Sequence, residues 1–118
     1  MDEKIFKERT KKLGIAVIGL VDKLPRTAAA EVLSKQIIRS STSVGANYRA
    51  ACRAKSTPDM INKLKTVEEE ADETAFWLEV LTESKILNQT QVAALAKETD
   101  EILAMTVASL KTLRGKKS

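Results

Sequence analysis

The sequence predicts an all-α fold, an antiparallel up-down-up-down four-helix bundle in a single domain covering residues 1–118. Apolar residues recur at alternating steps of four and three along most of the chain, which is the period of helices packed side by side. The chain contains only two prolines and four glycines, which are few turn-forming residues for a many-stranded sheet. Aromatic residues make up 3% of it, so the core must be aliphatic, which suits interdigitating helices.

The first predicted helix covers residues 2–23, with Asp2 as a suitable N-cap. It ends before Leu24-Pro25, because the residue that precedes proline avoids the α conformation. Its apolar stripe consists of Phe6, Leu13, Val17 and Leu20, which we expect Ile15, Ile18 and Val21 to widen.

The second predicted helix covers residues 27–54, with Thr27 as its cap. The inner face of this helix is rich in small and polar residues. We call Ser40, Ser43 and Asn47 the polar seam, and we expect it to fix the register of a closely packed central helix. Gly45 in a helix interior costs up to about 1 kcal/mol relative to alanine, which a close helix crossing would justify.

The third and fourth predicted helices cover residues 58–86 and 90–114. Thr57-Pro58-Asp59 supplies a cap, a proline at the first helical position and an acid in the first turn. Asn88 or Thr90 is expected to cap the fourth helix, and residues 115–118 form a basic tail. Phe76 and Trp77 are adjacent, so we expect one to meet the core and the other to lie at its margin, where it marks an interface for self-association.

Two stretches carry a family resemblance. The run RSSTSVGANYRAACRAKS at residues 39–56, with Ser41, Ser43 and Asn47 in an SxSxxxN element, is followed by INKLKTVEEEADETAFWLEVL at residues 61–81. These stretches resemble the bacterial four-helix-bundle proteins encoded within intervening sequences of large-subunit ribosomal RNA genes. The resemblance spans residues 24–113, although Ala50 and Ala51 stand where many members carry Glu-Gly.

The resemblance implies an antiparallel four-helix bundle that assembles into a ring-like homo-oligomer, with a pentamer favoured. A related group is the accessory protein of diversity-generating retroelements, which binds a reverse transcriptase and nucleic acid. For this chain the resemblance therefore implies RNA, DNA or a reverse transcriptase as partners, while most members have no assigned function.

Charge is unevenly distributed along the chain. Residues 58–86 hold three basic and eight acidic side chains, whereas residues 27–57 hold five basic and one acidic. If these two helices fold back on each other at about residue 56, Arg39 lies opposite Glu73 and Ser43 opposite Glu69. We therefore predict an interhelical ion pair between Arg39 and Glu73 or Glu69.

Basic groups also suggest a nucleic-acid surface. Arg49 and Arg53 are one turn apart and lie close to Lys55, a spacing suited to backbone phosphates. The first helix carries a second basic group, and pairing with an acidic neighbour or plain solvation is the alternative for both groups. The candidate nucleic-acid-binding residues are Arg49, Arg53, Lys55, Lys4, Lys7, Lys11 and Lys12.

No catalytic constellation is visible, and we expect neither enzymatic activity nor a cofactor. The chain has no histidine, so its serines lack a base and its carboxylates lack the Glu-x-x-His pairs of bundle di-iron sites. We therefore predict no metal site. Cys52 is either a small hydrophobe or, between two arginines, a thiol of lowered pKa.

The sequence thus favours a non-enzymatic, self-associating bundle that binds nucleic acid or a nucleic-acid enzyme. The alternative is a protein-partner adaptor without nucleic-acid contact. A single cysteine and the lack of a long apolar run predict a cytoplasmic protein without membrane contact.

Overall fold

The computed structural model describes residues 2–115, which form four helices joined by short connections. They are α1 (Glu3–Val21), α2 (Ala28–Cys52), α3 (Thr57–Glu83) and α4 (Gln89–Gly115). Each helix packs against the next in sequence, and α4 returns to α1, so α1 and α3 are diagonal. The bundle measures 50 × 21 × 20 Å between Cα extremes. The predicted four-helix bundle is confirmed.

The segment predicted as a basic tail begins at Gly115, which belongs to α4; residues 116–118 lie outside the described residues.

Side-chain caps set the helix starts. Asp2 accepts from the Ile5 N–H and Thr27 from the Ala30 N–H, as expected. The cap of α3 is Ser56, whose hydroxyl accepts from the Asp59 N–H at 3.2 Å, one residue earlier than the predicted Thr57. Asn88 caps α4 and exchanges two 2.9 Å hydrogen bonds with Gln91, a reciprocal capping box.

Helix α3 ends at Glu83, three residues before its predicted end at residue 86. Lys85 adopts a left-handed conformation with φ of 65°, which interrupts the helix after its C-cap Ser84. The chain then turns back, and the Leu87 N–H bonds to the Leu81 carbonyl at 3.0 Å. Leu87 is 2% exposed. The turn at Lys85 thereby brings Leu87 into the core cluster that contains Leu81.

The core consists of two hydrophobic clusters stacked along the bundle, aliphatic apart from Phe6 and Tyr48 among their buried residues. One contains Phe6, Leu13, Val44 and Ile102, and the other contains Val17, Ile37, Leu78 and Val92. Along three helices, buried hydroxyl residues lie between the two clusters: Ser40 and Ser41 in α2, Thr74 in α3 and Thr99 in α4, all at 0% exposure. These hydroxyl groups form a polar layer between the two clusters on α2, α3 and α4, and the partly buried Leu95 packs against both clusters.

The polar layer differs in detail from the predicted polar seam. Ser40 is the member of that seam that bonds across helices, since its Oγ accepts from the Thr74 hydroxyl at 2.9 Å. Asn47 donates to the Ser43 carbonyl of its own helix at 2.8 Å, and both residues are only half-buried. Ser40 rather than Asn47 thus supplies the buried polar contact between α2 and α3.

A close crossing of α1 and α2 explains Gly45. A Cβ at this position would lie 3.1 Å from the Thr10 carbonyl oxygen, and one at Gly14 would lie 3.1 Å from the Thr42 methyl group. Thr10 and Gly14 therefore occupy the face of α1 that meets α2. Ile15 and Ile18, which we expected to widen the core stripe, are instead 58% and 47% exposed.

Alanine substitutions at Gly45 and at Gly19 should change stability in opposite directions. Gly45→Ala forces a Cβ against backbone atoms of α1, and overpacking of this kind costs about 1–3 kcal/mol, more than the helix propensity gained. Gly19→Ala meets nothing within 4 Å and should stabilise by up to about 1 kcal/mol. Urea unfolding followed by circular dichroism measures both, and equal stabilisation by both substitutions would contradict the close crossing.

None of the helices within residues 2–115 has the length and apolar character needed to cross a membrane.

Candidate nucleic-acid interface

A basic groove lies at the end of the bundle where α2 passes into α3. It has a cavity volume of about 520 Å³ and is formed by Ala46, Arg49, Ala50, Arg53, Lys55, Asp59 and Lys63. The two alanines leave room between the longer side chains. The three residues predicted from sequence at this end, Arg49, Arg53 and Lys55, therefore do come together. Lys63 of α3 joins them and was missed.

The α2–α3 connection positions these cations. Helix α2 ends at Cys52, and the Arg53 N–H bonds back to the Ala50 and Ala51 carbonyls. The turn brings the Lys55 N–H to the Asp59 carboxylate at 3.2 Å. The same carboxylate accepts from Lys63 Nζ at 3.3 Å. Hydrogen bonds to Asp59 thus link the α2–α3 connection to the first two helical turns of α3.

The electrostatic balance of the basic groove is positive. The Lys55 backbone N–H and then Lys63 lower the pKa of Asp59, so this carboxyl stays ionised at neutral pH. One carboxylate faces four cations, which leaves a net charge of +3. Within residues 2–115, Arg49, Arg53 and Lys55 form no ion pair with a carboxylate.

The lysines of α1 lie outside the basic groove. Lys7 pairs with Glu3 at 3.3 Å and Lys11 with Glu8 at 2.8 Å, each along the helix. Lys4 and Lys12 are exposed and have no such partner among the described residues. The α1 lysines are therefore a separate and partly neutralised surface.

Arg39 joins α2 to α3 on the outer surface. Its guanidinium contacts Glu73, as predicted, and also Glu70 at 3.2 Å. Glu69, the other predicted partner, is exposed and is not part of this contact. The next residue of α3, Glu70, contacts Arg39 instead. The Trp77 indole N–H donates to Glu73 at 2.9 Å.

The acid titration of Glu73 should be visible in the fluorescence of Trp77, the chain's single tryptophan. Hydrogen bonds from Trp77 and then Arg39 lower the pKa of Glu73. Because this pKa is lower in the folded than in the unfolded chain, Glu73 stabilises the fold above the ordinary glutamate pKa of about 4.3, and the stabilisation disappears as pH falls through the folded value. We expect the fluorescence emission of Trp77 to change with pH, with a midpoint below about pH 4.3.

Glu73→Gln should remove that fluorescence transition and flatten the acid dependence of stability, because the amide still fits but does not titrate. Glu79→Gln, an exposed position on the same helix, is the matched control and should retain the transition. An unchanged profile in Glu73→Gln would assign the transition to another carboxyl.

Phe76 and Trp77 occupy different environments. Trp77 is half-buried and packs against the cluster that contains Leu78, whereas Phe76 is 52% exposed. Their rings meet edge to face at a centroid distance of 4.9 Å. Phe76 is thus the outer member of the pair, and its role at an interface stays a prediction.

Cys52 and Tyr48 border a largely apolar cavity, separate from the basic groove, to which all four helices contribute. Burial raises the pKa of the Cys52 thiol, which opposes the lowered pKa considered from the sequence. Tyr48 is 6% exposed and its ring packs edge to face on Phe6 at 4.6 Å. Cys52 therefore has the environment of a small hydrophobe, and Tyr48 is turned into the core rather than towards the arginines.

Comparison with known proteins agrees with this architecture. A family model described as 23S rRNA-intervening sequence protein matches residues 3–108. The fold is similar to the crystal structure of a protein of unknown function from the S23 ribosomal protein family of Bacteroides thetaiotaomicron. The two chains are 33% identical with a TM-score of 0.86, over 94% of this chain and 99% of that one. No curated protein matches this chain. The chain belongs to the 23S rRNA-intervening sequence protein family.

Proposed function

We propose that this protein is a non-enzymatic module that binds the phosphate backbone of RNA or DNA through the basic groove. The observation that carries the proposal is the convergence of four cations around one carboxylate, with both arginines free of acidic partners among the described residues. Arginine forks suit phosphate oxygens. The short side chains of Ala46 and Ala50 leave space for a phosphate group among the longer basic side chains of the basic groove.

The chemistry of the basic groove favours backbone contact over base recognition. Tyr48, the nearest aromatic residue in sequence to the arginines, packs in the core and offers no ring for stacking. Contacts from arginine and lysine to phosphate position a nucleic acid without reading its sequence. Binding should therefore be strongly salt-dependent and nearly independent of sequence.

Fluorescence anisotropy with labelled single-stranded RNA, duplex RNA and duplex DNA tests this function. Arg49→Glu combined with Arg53→Glu should weaken binding at least about tenfold and lower the salt dependence, since each lost phosphate contact removes about one unit from the slope of log affinity against log salt. The control pair Lys97→Glu and Lys111→Glu changes net charge equally on exposed positions of α4. Equal weakening by both pairs would show that only net charge matters, and absence of binding at low salt would reject the function.

The alternative is a protein-partner adaptor, which the exposure of Phe76 favours. An adaptor should retain a defined protein partner after nuclease treatment and lose it on Phe76→Ser. The Arg49 and Arg53 substitutions should not affect that partner, so the two functions give opposite patterns.

A further inference from the structure

A largely apolar cavity of about 520 Å³ lies at the end of the bundle where α2 passes into α3. Each helix contributes to it close to one of its ends: Glu3 begins α1, Cys52 ends α2, Met60 lies in the first turn of α3 and Leu113 in the last turn of α4. We call it the end cavity. Its volume and its mostly apolar lining with a few polar groups are typical of sites for small molecules.

The inner wall of the end cavity belongs to the core. Tyr48, Ala51 and Leu64 line it and are at most 6% exposed. The small side chain of Ala51 leaves space between the larger ones. Met60 and Met105 form part of the wall and are partly buried against the same cluster. Methionine is flexible and polarisable, and its sulfur makes favourable contacts with aromatic rings. The wall is therefore suited to a flat aromatic body.

The mouth of the end cavity carries a negative charge. Glu3 is the one lining residue with a charged side chain within residues 2–115. This side chain is 60% exposed and is paired with Lys7 at 3.3 Å, and a carboxylate can accept from a further donor. Cys52 and Tyr48 stay uncharged near neutral pH, because burial raises the pKa of both groups. Glu3 acts on both pKa values in the same direction, so its negative potential extends along the wall.

The arginines near this end of the bundle do not bring a positive charge into the end cavity. Arg49 and Arg53 belong to the basic groove, on another face of α2. Arg9 touches the sulfur of Met105 at 3.3 Å, but its guanidinium is bound by two carboxylates of α4. A bound anion would therefore meet Glu3 without a cation in the described lining, whereas a bound cation would be attracted by it.

We propose that the end cavity binds a small lipophilic amine, with an aromatic body against the methionines and an ammonium group at Glu3. Burial of the aromatic body would displace water from the apolar wall, and this supplies most of the affinity. The charge of Glu3 would select the amine over a neutral or anionic molecule of the same shape. The site does not depend on the proposed nucleic-acid binding, because no residue of the described chain lines both the end cavity and the basic groove.

Three probes that share a naphthalene ring separate shape from charge: naphthylmethylamine, naphthylmethanol and naphthoic acid. Isothermal titration calorimetry should rank their affinities in that order. Glu3→Gln should weaken binding of the amine about threefold to fivefold, the size expected of an exposed ion pair, and leave the alcohol unchanged. Lys7→Met should strengthen binding of the amine, because it removes the cation that shares Glu3.

The thiol of Cys52 reports on occupancy, since it belongs to the chain's single cysteine and lines the end cavity. Saturating naphthylmethylamine should slow its alkylation by iodoacetamide, measured by mass spectrometry. Ala108→Phe places a ring in the end cavity and should abolish binding of the amine in calorimetry. Ala104→Phe, the same change one turn away at an exposed position of α4 outside the lining, should not. Circular dichroism checks that both variants fold.

The proposal is overturned if the amine shows no saturable binding, if naphthoic acid binds as tightly as the amine, or if Glu3→Gln leaves the affinity for the amine unchanged. It is also overturned if a folded Ala108→Phe variant keeps the amine, or if Ala104→Phe loses it to the same extent, because the amine would then bind elsewhere on the chain. If Ala108→Phe does not fold, the opposite shifts expected in Glu3→Gln and Lys7→Met still decide.

Discussion

Val44→Asp is expected to unfold the protein at neutral pH. Val44 has no exposed surface and packs in the cluster that contains Phe6 and Leu13. A carboxylate there would be removed from water without a partner, and such substitutions cost more than about 4 kcal/mol. This is comparable with the whole stability of a domain, about 5–15 kcal/mol.

The matched control for Val44→Asp is Val32→Asp, the same chemical change on the same helix at a position that is 59% exposed. Its effect on the free energy of unfolding should stay within about 0.5 kcal/mol. Urea unfolding and the far-ultraviolet circular dichroism of both variants make the comparison. Lower pH should restore part of the structure of Val44→Asp, because the protonated carboxyl is less costly to bury. A folded Val44→Asp variant with stability near that of the parent would contradict the assignment of this face to the core.

The four helices were predictable from the spacing of apolar residues, and the α2–α3 register from the position of the turn between them. A seam of apolar residues defines the inner face of each helix, and the turn near residue 56 fixes which residues of α2 and α3 lie level. This was enough to name Arg39 and Glu73 as partners, which the structure shows in contact. The same register places Lys63 opposite Arg49, so Lys63 of the basic groove could have been found in the same way.

The exposed isoleucines were assigned to the core because hydrophobicity does not reveal which neighbour a helix approaches most closely. Helix α1 meets α2 through Gly14 and the backbone of Thr10, where only small groups fit. That contact rotates the helix so that Ile15 and Ile18 face outwards. Small residues at steps of four, here Thr10 and Gly14, were the available signal, as Gly45 was for α2.

The partner of Arg9 was not predictable for a different reason. Arg9 lies at the flank of the apolar face of α1, so its partner depends on whether that flank faces α2 or α4. The answer depends on whether the four helices follow one another around the bundle in a left-handed or a right-handed order. The spacing of apolar residues is the same in both arrangements. In the structure the flank faces α4, where the guanidinium meets Glu98 at 2.5 and 3.0 Å and Glu101 at 3.0 Å.

Arg9→Met is expected to loosen α1 from the rest of the bundle. A hydrogen bond to a charged group contributes about 1.5–3 kcal/mol, and bonds that share one guanidinium do not add independently. Met keeps the length of the side chain while removing all of them. Glu98 and Glu101, three residues apart on α4, would then face each other without the cation. We expect a loss of about 2 kcal/mol. Lys12→Met on the same helix, with no ion pair among residues 2–115, should change stability by less than about 0.5 kcal/mol.

Amide hydrogen exchange should locate the effect of Arg9→Met. Exchange should accelerate most in α1, because α1 and α4 share fewer close approaches than the other adjacent helices and the Arg9 network bridges them. A double-mutant cycle with Glu98→Gln should give a coupling of at least about 0.5 kcal/mol, as for residues in one network. If exchange accelerates equally in all four helices and the cycle shows no coupling, Arg9 contributes through its apolar stem alone. The specific anchoring of α1 would then have to come from the close crossing at Gly14 and Gly45, which holds the opposite flank of the helix.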